Sequence, residues 1–130
     1  MTYKEVAAMI AETNIANAYY QFDEGTGQQP PFICFFYDYS DDMLADNSNY
    51  QKIEHLIIEL YTEQKDFSLM STLEAVLGSH DLVYTRSSEY IDSEKMQLEV
   101  YEMDVLITAE TPTNEAETPV NTEEDNEQQS

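Results

Sequence analysis

The sequence predicts an α+β fold: an antiparallel sheet of about five strands covered by two short helices, in the order α-β-β-β-α-β-β. Two segments repeat apolar residues at helical spacing behind a good N-cap, and the runs between them alternate at the period of a strand. Neighbouring runs lie within hairpin range, which favours antiparallel pairing. The chain has 130 residues, 42% hydrophobic and 12% aromatic, so one domain with a real core is expected.

Thr2-Tyr3-Lys4-Glu5 reads as a capping box, with Thr2 as N-cap and Glu5 reaching back to it. Val6, Met9 and Ile10 then share a face, giving a helix to about Glu12. A strand is expected over residues 17–22, followed by a turn-rich loop from Asp23 to Pro31. A second strand runs from Phe32 to Tyr39 and is bulky on both faces. A polar loop over residues 41–49 leads to a long strand from about Gln51 to Thr62. Leu56, Ile58 and Leu60 share one of its faces; Ile53, His55, Ile57, Glu59 and Tyr61 share the other, which is mixed.

Asp66 caps a second helix carrying Phe67, Met70, Leu73, Val76 and Leu77, with Gly78 placed to end it. Two strands close the domain, about Leu82 to Tyr90 and Met96 to Ile107, joined at Asp92-Ser93-Glu94. The last one changes parity: Met96, Leu98 and Val100 share one face, but Tyr101, Met103, Val105 and Ile107 share the other. Such a switch implies a bulge, or a strand that leaves its own core to pack on a second surface.

Residues 108–130 differ in kind, with seven acidic residues, no basic ones and no aromatics. The reading is a folded domain over residues 1–107 and a disordered acidic tail over 108–130. The body holds 20 acidic and 5 basic residues, so it is acidic in its own right; the whole chain carries a formal −22. Phosphate backbones are bound through Lys and Arg, so this balance argues against a nucleic-acid reader or a binder of anionic membrane. It suits a basic partner, or DNA that must be repelled or imitated. Cys34 is alone, so no internal disulfide forms, and no run is apolar enough for a signal peptide or a membrane span. A cytoplasmic product is expected.

No cluster in the chain carries catalysis, a cofactor or a metal. Gly25-Thr26-Gly27 lacks the Lys of a phosphate loop and leads into a strand through Pro30-Pro31. Ser79-His80-Asp81 has the residue types of a hydrolase triad, but consecutive residues cannot take up that geometry. His55 and His80 are the only histidines and Cys34 the only thiol, so no zinc spacing can be written. Asp38, Asp41, Asp42 and Asp46 lack the glycine and distal Glu of a calcium loop.

The aromatics are the remaining feature: ten Tyr and five Phe, all in the body. Two short helices leave sheet surface to be covered, and Tyr, Phe and Met suit interface centres. The expected subunit or partner interface comprises Phe35 and Tyr37, the loop tip Met43-Leu44, and Tyr101, Met103 and Val105 of the last strand. Covering of both sheet faces within one chain is the alternative.

Three stretches carry a resemblance: AYYQFDEGTGQQPPFICFFY (18–37), DDMLADNSNYQKIEHLIIELYTEQKDF (41–67) and YIDSEKMQLEVYEMDVLI (90–107). Together they resemble the small tail-completion proteins of long-tailed bacteriophages and prophages, also called tail terminator or head–tail joining proteins. The resemblance covers residues 1–107 and leaves the acidic tail unaccounted for. It implies a virion protein without enzymatic activity, built in the host cytoplasm. It further implies a homo-oligomeric ring, a hexamer, that ends the tail tube. The implied partners are the major tail tube protein and the head connector or stopper, with DNA only passing through the lumen and no membrane involved. Two other readings stand beside it: another neck protein such as a head-completion stopper, and an acidic DNA mimic that inhibits a DNA-binding enzyme.

Overall fold

In the computed structural model, residues 1–22, 28–44 and 50–108 are described, with side chains at 1–22, 28–40 and 52–108. The elements are α1 (Tyr3–Ala11), β1 (Asn17–Tyr19), β2 (Phe32–Leu44), β3 (Tyr50–Thr62), α2 (Phe67–Ser79), β4 (Thr85–Ile91) and β5 (Met96–Thr108). Both helix starts follow from the sequence. Thr2 Oγ1 accepts from the Glu5 N–H at 3.1 Å while Glu5 accepts from the Thr2 N–H at 2.9 Å, and Asp66 accepts from the Leu69 N–H at 3.0 Å.

The five strands form one sheet in the order β1-β2-β3-β5-β4. All pairings are antiparallel except β1 with β2, which is parallel, so the sheet is mixed where the sequence suggested a purely antiparallel one. The twelve residues between Tyr19 and Phe32 are enough to return the chain to the starting end, as a parallel pair requires. β1 is shorter than expected because Tyr20 turns into the left-handed region at φ 72°. β2 is longer, because its ladder with β3 continues through Asp41 to Leu44 after a one-residue bulge at Asp38.

Gly78 does not end α2; it lies within the helix, which closes on a Schellman motif whose left-handed residue comes three positions later. Asp81 takes the left-handed position at φ 61°, its N–H donates to the Gly78 carbonyl at 3.0 Å, and the Leu82 N–H donates to the Leu77 carbonyl at 3.1 Å.

Both helices pack on the same sheet face. Val6, Met9 and Ile10 from α1 and Met70, Leu73 and Leu77 from α2 form one core with Ile33, Phe35, Leu56, Ile58, Leu60, Tyr101, Met103, Val105 and Ile107. The β3–β5 register runs without a shift from Gln51↔Thr108 to Thr62↔Gln97. The parity switch in β5 is therefore no bulge; it is a straight strand with apolar residues on both faces of the sheet.

β4, an edge strand with few apolar side chains, is tied down by charge. Glu99 of β5 is 1% exposed. It accepts from Arg86 at 2.8 Å, from Gln97 at 3.0 Å and from the Ser88 hydroxyl, with Lys65 3.8 Å away. Burial alone would raise its carboxyl, but these partners hold it below the ordinary value.

Candidate functional site: the uncovered face of the sheet

Strand alternation puts every second residue on the face away from the helices. On β3 these are Ile53, His55, Ile57, Glu59 and Tyr61, and on β5 Met96, Leu98, Val100, Glu102, Asp104 and Leu106. No described helix covers them. The face divides by chemistry along the strands.

One end is aromatic. Phe22 meets Phe32 edge-on at 5.4 Å, Phe32 stacks on Tyr61 at 4.8 Å and 22°, and Tyr20 meets Phe36 edge-on at 5.8 Å. These rings, with Met96 and Ile91, wall an open cleft of about 540 Å³ with Cys34 and Glu59 among its lining residues. Glu59 accepts a hydrogen bond from the Tyr61 hydroxyl at 2.9 Å. The Cys34 thiol is pushed up by burial and by Glu59, which makes it a poor nucleophile.

The other end is polar. The His55 ring stacks on Tyr39 at 4.6 Å and 6°, with one nitrogen 3.0 Å from Glu102 and the other 3.0 Å from Asp104. The bond to Glu102 raises the imidazole above its ordinary value against the opposing effect of burial, with Asp104 and the charge of Asp38 adding to the rise. A protonated His55 on β3 so offsets Glu102 and Asp104, neighbouring carboxylates on one face of β5.

The interface residues expected from the sequence fall mostly elsewhere. Phe35, Tyr101, Met103 and Val105 are buried in the core beneath α1 and α2, which withdraws them from the surface of the single chain. The two helices reach further across the sheet than their lengths suggested. Tyr37 is half-buried on the helix side, 5.3 Å edge-on from Tyr3 of α1. Met43 and Leu44 end β2 opposite Gln51 and Tyr50, and their side chains lie outside the described residues. The residues on the face away from the helices that this reading did not name include Phe32, Phe36, Tyr61 and Leu106, with Leu98 buried among them. Their signal was the opposite parity, visible in the mixed face of β3 and in the run Met96, Leu98, Val100.

The other motifs resolve into local structure. Ser79 donates to the Val76 carbonyl at 2.7 Å, His80 contacts Glu12 at 3.0 Å and Asp81 completes the helix cap, so the three do not converge. Gly25-Thr26-Gly27 and Asp46 lie outside the described residues, as do the side chains of Asp41 and Asp42. Among the described residues no three His, Cys, Asp or Glu side chains gather as a metal ion needs, and no helix is long and apolar enough to cross a membrane.

No family model and no curated protein sequence matches the chain. Solved structures do. A chain of the virion of a native gene transfer agent particle aligns with a TM-score of 0.51 at 11% identity, over 82% of this chain and 89% of its own. A chain of an extracellular contractile injection system, from the PVC sheath/tube terminator in its extended state, aligns at 0.48 and 12% identity, over 93% of this chain. The alignment spans 64% of that longer chain. At such identity the likeness to the first is one of fold.

Proposed function

We propose that this chain is a structural, non-enzymatic protein of a phage-tail-like particle. In this reading it forms a ring, a hexamer, that ends the tail tube and receives the head connector or stopper. The observation that carries the reading is the sheet face left uncovered by the described helices, which bears aromatic and aliphatic residues, while among the described residues no chemistry-bearing cluster gathers. Tyr20, Tyr39 and Leu106 are well exposed on that face beside half-buried rings, and a surface of that composition suits an interface. Two further supports are the resemblance of residues 1–107 to tail-completion proteins and the fold shared with a chain of a virion particle.

A ring contact is heterologous, so two different patches must meet. The uncovered aromatic end is one candidate, and the end of β2 with Met43 and Leu44 is proposed as the other. The acidic surface suits a lumen that DNA crosses without being gripped. Native mass spectrometry and negative-stain imaging of the full chain, alone and with tail tubes, test this. Six-fold rings, free or seated on tube ends, are expected. A chain that stays monomeric and unbound with tubes present would overturn the proposal.

A further inference from the structure

We infer that a second cleft, on the helix side between α1 and the first two strands, binds a cationic side chain, an arginine or lysine of a basic partner protein. The cleft measures about 620 Å³ and is walled by Tyr3, Tyr19, Phe35 and Tyr37, with Asp38 and Glu54 as its charged groups. Its walls are already assembled. Tyr3 meets Tyr37 edge-on at 5.3 Å, and Tyr19 contacts both Tyr37 at 6.0 Å and Phe35 at 5.5 Å.

Glu54 is 8% exposed and accepts a hydrogen bond from the Tyr3 hydroxyl. No described Lys or Arg lies within ion-pair distance of Glu54 or of Asp38. A carboxylate so far withdrawn from water ordinarily has a cation beside it. Beside Glu54 no described Lys or Arg supplies that charge, while Asp38 lies in the field of His55, and the electron-rich rings that favour a cation are in place. Asp38, thrown out of the β2–β3 ladder by the bulge, stands among the lining residues as a second negative group. The Tyr37 phenol is pushed up by burial, then by Tyr19, Tyr3 and Glu54, so a further negative charge is resisted there.

The charge balance identifies the source. A second copy brings 27 acidic and 5 basic residues. Of those bases, Lys65 and Arg86 serve Glu99 and Lys95 pairs with Asp92, which leaves Lys4 and Lys52 against the 27 acidic residues of each copy. A different protein with an exposed basic side chain is the complementary occupant. Nothing in this inference depends on the tail reading.

The test is a titration of the isotope-labelled full chain with N-acetyl-arginine amide and N-acetyl-lysine amide at constant ionic strength, followed by NMR. N-acetyl-glutamine amide serves as the neutral control. Saturable shifts at the amides of Ala7, Tyr37 and Ser40 are expected with the cationic probes alone. Tyr19→Ala removes one wall without changing charge, at a side chain 56% exposed, and Glu54→Gln removes the charge without changing size. Each is expected to weaken binding by roughly 2- to 30-fold. If Glu54→Gln loses the fold, Tyr19→Ala decides alone. Shifts that never saturate and spread over the acidic surface would overturn the site, as would unchanged binding by Tyr19→Ala. Shifts at the same amides on raising protein concentration without probe would assign the cleft to a second copy and overturn the partner.

Discussion

Met103 and Leu106 lie three residues apart on β5 and face opposite sides of the sheet, so substitutions at the two should separate folding from assembly. Met103 is 3% exposed, sits opposite Leu56 and belongs to the core beneath the helices. Truncating a buried Met to Ala costs about 2–5 kcal/mol. A domain of this size holds about 5–15 kcal/mol in total. At about 3 kcal/mol, and about 4–8 °C per kcal/mol for a domain near 100 residues, Met103→Ala should lower the melting temperature by about 12–24 °C. Met103→Glu, which buries a charge among apolar neighbours, should not fold.

Leu106 is 43% exposed on the uncovered face, opposite Ile53. Leu106→Glu should change stability by no more than about 0.5 kcal/mol, as exposed substitutions do. Under the proposed function it should still reduce assembly, because it sets a carboxylate near Asp104 in a face meant for contact. Far-UV circular dichroism melts give the first quantity, and native mass spectrometry with tail tubes gives the second. A Met103→Glu chain that melts like the wild type, or a Leu106→Glu chain that fails to fold, would mean that the helices cover the other face of β5.

Glu99→Ala leaves Arg86 and Lys65, both part-exposed, without their shared carboxylate and should cost about 1.5–3 kcal/mol by denaturant titration. Because the Glu99 carboxyl is held below its ordinary 4.5, its contribution is present above that value and lost as pH falls through the lowered one; acid melts of wild type and Glu99→Gln should therefore converge. His55 runs the other way. Its raised imidazole stabilises fully below the ordinary 6.5 and loses that contribution as pH rises through the folded-state value, and an NMR titration of the ring, with His55→Gln removing the alkaline dependence, checks it. A chain ending at Thr108 is expected to keep a cooperative melt, which makes residues 109–130 dispensable for folding. The cut belongs after Thr108 rather than after Ile107, because the Thr108 N–H donates to the Met1 carbonyl at 2.9 Å.

What the sequence could show was local. The capping box at Thr2 and Glu5, the Asp66 cap, the two helices, the order of elements along the chain and the apolar face of β3 all depend on residues a few positions apart. Asp81 hid the end of α2 because a left-handed cap without glycine leaves no mark, and Gly78 offered a false one. The parallel pairing of β1 was equally silent, since a three-residue strand carries no record of its partner's direction. The burial of Tyr101, Met103 and Val105 under the helices was hidden for a different reason. Near Met96 to Val100 the uncovered face is apolar, while the helix face holds Gln97 and Glu99 at the β4 edge. Past Tyr101 the helix face becomes the core, and the uncovered face turns acidic at Glu102 and Asp104. An unbroken strand crossing two such regions reads as a change of parity. Which half faces the helices is decided by Leu56, Ile58 and Leu60 on the neighbouring strand, more than forty residues away. With both halves apolar, no local pattern in β5 could choose between them, and only the register with β3 does.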